Sequence, residues 1–218
     1  NYVNEVVNSP YLSVKIEIIQ QYQKILRKMP EAPNEMIIKQ VHVGLVKMLI
    51  DFDASIRKRV YPLLKREFDK HTSDFLNHYQ VYFQLVMEPD TIAQRDGFRL
   101  LTLYLMQMEE YKEKELKKTL FRQILRYGKF NNIQLQREIA ENISRIHAHF
   151  VKDAERLVAL IYHLIITLDK IVIRNAEGPL KEILLTQPSL KPQIIENLNK
   201  VHQNSQNKDL EKLLLSIT

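Results

Sequence analysis

A basic residue returns at one phase along this chain. Arg57, Arg95, Arg137 and Arg174 are 38, 42 and 37 residues apart, and Lys15 stands 42 residues before the first. Four or five residues ahead of each arginine comes a side chain suited to capping a helix N-terminus: Asp53, Asp90, Asn132 and Asp169. Apolar positions keep the same frame. Three residues after the basic residue stand Ile18, Val60, Phe98 and Ala140, with Glu177 breaking the last copy. Six residues after it stand Leu63, Leu101, Ile143 and Leu180, with Gln21 the exception. Pro62 and Pro179 each follow their arginine by five residues, so a proline kink recurs at one place, and Gly178 beside Pro179 sharpens the later one. A repeated supersecondary unit of about 40 residues is what such spacing demands.

Between these landmarks the apolar residues follow a period of about 3.6, which predicts helices rather than strands. The expected spans are 11–29, 34–50, 53–70, 73–87, 90–109, 112–127, 132–150, 153–168, 170–186, 190–203 and 207–217. Pro30 and Pro33 separate the first two, Thr72 precedes the fourth, and Ser189 with Pro192 opens the tenth. With 4 Gly and 8 Pro in 218 residues, the turns that many short strands require are missing. The predicted class is all-α.

A helical hairpin of this length, with an aspartate at the turn and an arginine on the second helix, resembles the HEAT repeat of the armadillo-like α-solenoids. The resemblance covers nearly the whole chain as about five hairpins, which implies a superhelix over 1–218 as a single domain. It implies a ladder of hydrogen-bonded pairs between neighbouring repeats, drawn from Asp53, Asp90 and Asp169 with Arg57, Arg95 and Arg174. Arg137 stands in the same ladder, although Asn132 in its repeat keeps the cap and loses the charge. It also implies that the second helices line one concave face. On those helices Lys58, Arg59, Lys65, Arg66, Arg99, Arg145 and Lys181 would form a positive stripe facing an acidic partner.

The chemistry-bearing residues offer little else. No cysteine is present, which removes disulfides, thiolate catalysis and thiolate-ligated metals. No glycine-rich phosphate loop, Gly-x-Ser-x-Gly elbow or His-Glu-x-x-His occurs. Glu109 and Glu110 are a carboxylate pair without a converging nucleophile, and the run 112–118 reads as a solvated helix start. His147 and His149, two apart on a helix, point about 200° from each other and cannot chelate one ion. His42 and His163 lie in apolar segments and read as hydrogen-bonded core residues. Asn142-Ile143-Ser144 matches a glycosylation acceptor inside a helix, and Tyr79, Tyr82 and Phe83 follow the spacing of a packed helix face.

Thirty-two basic against 26 acidic residues give a net charge of +6, mixed in sign. That permits contact with acidic proteins or nucleic acid without requiring either. No apolar run approaches the roughly 20 residues of a membrane span. The chain starts at Asn1 without an initiator Met and is expected to be a segment of a longer protein. The expected function is a non-enzymatic scaffold or adaptor in an intracellular complex, cytoplasmic or nuclear, binding protein partners with no cofactor, metal or small-molecule substrate. The alternative is a nucleic-acid-binding protein using the same basic helices.

Overall fold

The computed structural model describes residues 7–28, 34–68, 70–71, 75, 78–108 and 114–218. Pro30, Pro33, Thr72, Glu109, Glu110, Lys112 and Glu113 lie outside them. Among the described residues the chain is helical, with no strand, and none of the helices is long and apolar enough to cross a membrane. It divides into two compact units, Asn1–Tyr104 and Leu105–Thr218.

The first unit holds α1 (Leu12–Lys28), α2 (Glu35–Met48), α3 (Ala54–Phe68), α4 (Tyr79–Met87) and most of α5 (Thr91–Gln107). α1 and α2 both pack on α3. The core is the apolar stripe of each helix: Ile19 from α1, Val41, Leu45 and Met48 from α2, and Ile56, Val60, Leu64 and Phe68 from α3. Burying each such side chain is worth about 1.5–3 kcal/mol. Pro62 sits on the solvent side of α3, where losing one backbone hydrogen bond leaves a carbonyl to water. α5 comes close to α4 because position 97 has no side chain. A Cβ on Gly97 would stand 2.9 Å from the Val86 amide nitrogen and 3.0 Å from the Tyr82 carbonyl oxygen.

The second unit holds α6 (Lys114–Tyr127), α7 (Ile133–His149), α8 (Ala154–Ile165), α9 (Lys170–Thr186), α10 (Lys191–Ser205) and α11 (Lys208–Ile217). α9 is its centre and packs on α7, α8 and α11. α8 buries Leu157, Val158, Leu160, Ile161, Leu164 and Ile165, which accounts for its run of apolar residues. α11 turns Leu210, Leu213, Leu214 and Ile217 inward against α9 and α10.

Helix starts are set by side-chain caps. Asp90 Oδ1 accepts the amides of Ile92 and Ala93, at 2.8 and 3.3 Å. Asn132 Oδ1 accepts those of Gln134 and Leu135, and Asp169 Oδ1 those of Ile171 and Val172. Asn34 and Asn207 do the same for α2 and α11. The start of α10 differs from expectation: Ser189 makes no cap, because Pro188–Leu190 forms a 3-10 turn and Leu190 takes the N-cap position with Pro192 behind it.

Candidate interaction surface

Four of the seven residues of the expected basic stripe lie on α3. Lys58, Arg59, Lys65 and Arg66 are all exposed. At about 100° of rotation per residue, Lys58 and Lys65 fall within about 20° of each other, as do Arg59 and Arg66. The four therefore share one solvent face over two turns, opposite the buried Ile56, Val60, Leu63 and Leu64. They are not equivalent. Arg66 donates from Nε to Glu67 Oε1 at 2.9 Å, so its guanidinium compensates a buried carboxylate. Lys58, Arg59 and Lys65 have no ion pair among the described residues.

Arg99 lies half-buried on α5 in the same unit. Arg145 and Lys181 belong to the second unit, on the packed helices α7 and α9. Both have local partners. Arg145 donates to Asn142 Oδ1 at 3.2 Å. Lys181 donates to Glu177 Oε1 at 2.6 Å, and that hydrogen bond holds the Glu177 carboxyl below its ordinary range.

Of the residues assigned to a ladder, all but Asp53 form ion pairs. Four of the cations reach an aspartate in the turn before, or the first turn of, the second helix of the following pair. Arg57 Nη2 donates to Asp90 Oδ2 at 2.5 Å. Arg137 grips Asp169 with two bonds, Nε to Oδ1 at 3.0 Å and Nη2 to Oδ2 at 2.7 Å. Lys15 binds Asp51 at 2.5 Å, and both side chains are more than nine-tenths buried. Arg174 approaches Asp209 at 3.8 Å in a looser, more exposed pair.

Arg137 thus has a strong acidic partner despite Asn132, since the acid it needs follows it in the chain. Arg95 instead pairs with Asp96 on its own helix, at 2.8 Å. Asp53 carries no rung: its carboxyl is held below its ordinary value first by the Ser55 side chain and then by the Ser55 amide, which donates to Oδ1. Asp51 and Asp209 are the residues that sequence reasoning missed. The signal was present, because the four rungs span 36, 33, 32 and 35 residues.

Electrostatics at the rungs follow from their bonds. Burial works to raise the Asp90 pKa, yet the Arg57 hydrogen bond and the Ile92 and Ala93 amides together bring it below the ordinary value. The Arg137 hydrogen bond is the largest influence on Asp169 and lowers it. Asp96 goes the other way, raised by burial against the pull of Arg95.

The remaining candidates resolve into packing. Tyr82 is fully buried and donates to the Phe75 carbonyl at 3.1 Å; Tyr79 stacks on Tyr104 and meets Phe83 edge-on. Asn142 is buried and bonded to Glu138, which leaves no acceptor for a glycan. His163 is exposed rather than in the core: it falls on the face of α8 turned away from Leu157, Ile161 and Leu164. His147 is buried, and burial lowers its pKa. His42 is buried on α2 beside the end of α3.

No protein-family model, curated protein or solved structure matches this chain. Fold and site together define an all-α protein with cation–aspartate pairs linking successive helix pairs inside each unit.

Proposed function

We propose that the chain is a non-enzymatic scaffold: a HEAT-like α-solenoid that holds protein partners of acidic surface within a larger complex. The observation that carries this reading is the recurring rung from a cation on one second helix to an aspartate at the start of the next. A rung of this kind fixes the stagger of one helix pair on its neighbour, as stacked repeats require. The functional step is an argument from architecture, supported by the exposed cations Lys58, Arg59 and Lys65 on one face of α3.

The test is binding in solution. The chain is expected to retain an acidic protein partner from its native source, with binding weakened when Lys58, Arg59 and Lys65 are changed to Gln. Binding to random duplex DNA or RNA with a steep salt slope, and no retained protein, would favour the nucleic-acid reading instead.

A further inference from the structure

We propose that His42, Glu67 and His71 form a binding site for a divalent transition-metal ion of the Zn²⁺ class. His42 comes from α2, Glu67 from the last turn of α3, and His71 from the turn that follows it. One ligand atom from each lies within 4.8 Å of the other two.

The local backbone brings the three together. The amides of Lys70 and His71 both donate to the Glu67 carbonyl, at 3.0 and 2.9 Å, so the helical turn continues past the end of α3. Residues four apart on such a turn share a face, which sets Glu67 and His71 side by side. α2 packs on α3 and presents His42 to that face.

The surroundings favour a bound cation. The Glu67 carboxylate is almost wholly buried, and its visible partner is Arg66, whose side chain is 43% exposed and which binds only Oε1. A buried carboxylate is costly unless its charge is met, and a metal ion meets it more fully than one half-solvated guanidinium. Phe68 and Phe75 pack beside the site, and the His42 ring lies 4.6 Å from that of Phe75 and 5.1 Å from that of His71. Ring packing accounts for two histidines among aromatics; it does not account for the carboxylate between them. Arg66 would then act as an outer partner, orienting the carboxylate as such groups do around metal ligands.

The donor set selects the ion. Two imidazoles and one carboxylate suit Zn²⁺, Co²⁺ or Fe²⁺, whereas a site without sulfur does not select soft Cu⁺. Ligands at about 2.0–2.2 Å from a tetrahedral ion stand about 3.4 Å apart, so binding draws these atoms together by up to about 1.4 Å. His71, half-exposed and beyond the end of the helix, is the ligand placed to make that adjustment.

The probe is Co²⁺ alone, titrated into the full chain and then displaced by Zn²⁺. Saturable visible absorption at one ion per chain is expected, with affinity falling by at least about tenfold in His71→Ala and in Glu67→Gln. Histidine side-chain NMR of the unaltered chain gives a readout independent of variant folding: Zn²⁺ is expected to shift the rings of His42 and His71 and leave those of His147, His149, His163 and His202. No saturable binding, shifts confined to the other histidines, or unchanged affinity in both variants would overturn the site.

Discussion

Arg57 and Asp90 tie two helix starts together. Arg57 Nη1 donates to the carbonyls of Asp51 and Phe52, in the turn before its own helix, while Nη2 binds Asp90 Oδ2. Asp90 divides its oxygens: Oδ2 takes the arginine, and Oδ1 takes the first amides of α5. One carboxylate thus starts a helix and fastens it to the preceding pair. Asp90→Ala removes both roles and is expected to cost about 2–3 kcal/mol in denaturant unfolding. Asp90→Asn keeps an acceptor for the Ile92 and Ala93 amides and should lose about half as much. A full loss in Asp90→Ala with none in Asp90→Asn would show that the ion pair contributes nothing beyond the cap.

Lys15 and Asp51 make the most buried rung. Breaking a buried pair from one side leaves a charge without compensation, so Lys15→Met is expected to cost about 3 kcal/mol. The double variant Lys15→Met/Asp51→Asn should recover most of that loss, because the asparagine still accepts the Asp53 amide that Asp51 Oδ1 holds at 2.9 Å. A double-mutant cycle with no coupling between the two positions would contradict the assignment.

Two backbone positions predict opposite signs. Gly97→Ala forces a methyl group against the α4 backbone and should destabilise the first unit by about 1–3 kcal/mol. Gln206 ends α10 in the left-handed region, with φ 50° and its amide bonded to the His202 carbonyl at 2.7 Å. Glycine adopts that conformation freely, so Gln206→Gly should stabilise by about 0.5–1 kcal/mol once its greater unfolded-state freedom is counted. Thermal unfolding of both variants checks the pair.

Acid should loosen the rungs. Asp90 and Asp169 have folded pKa values below the ordinary one, so the unfolded chain takes up their protons first as pH falls. Their contribution is complete above the unfolded aspartate value of about 4 and is lost as pH drops through the lower folded values. Asp96, raised by burial, contributes in the opposite sense and partly offsets them. Stability measured from pH 6 downwards should therefore fall below about pH 4, with a shallower fall in the double variant Asp90→Asn/Asp169→Asn. An unchanged slope would mean that other carboxylates govern acid unfolding.

The helices were legible because their signals are local. Apolar period and cap chemistry place α9 at Lys170–Thr186, as the spacing predicts, and α7 within one residue of expectation at either end. The rungs were half legible. The arginines declare themselves by phase, but their acids lie one helix pair further on, and choosing Asp51 over Asp53 depends on a turn that only the fold displays. The basic face of α3 could be read as charges, though not that Arg66 is committed to Glu67. The convergence of His42 with Glu67 and His71 was not legible at all: the first ligand is 25 residues from the second, and only the packing of α2 on α3 brings them together.

The scaffold reading is tested most directly by comparing what the chain and its Lys58→Gln/Arg59→Gln/Lys65→Gln variant retain from the native source, identified by mass spectrometry at physiological salt. Arg66 is left intact because it compensates Glu67, and circular dichroism should show both proteins equally folded. The account predicts at least one acidic protein held in fixed proportion by the unaltered chain and lost from the variant. The same proteins held by both, or no protein held by either, would contradict it.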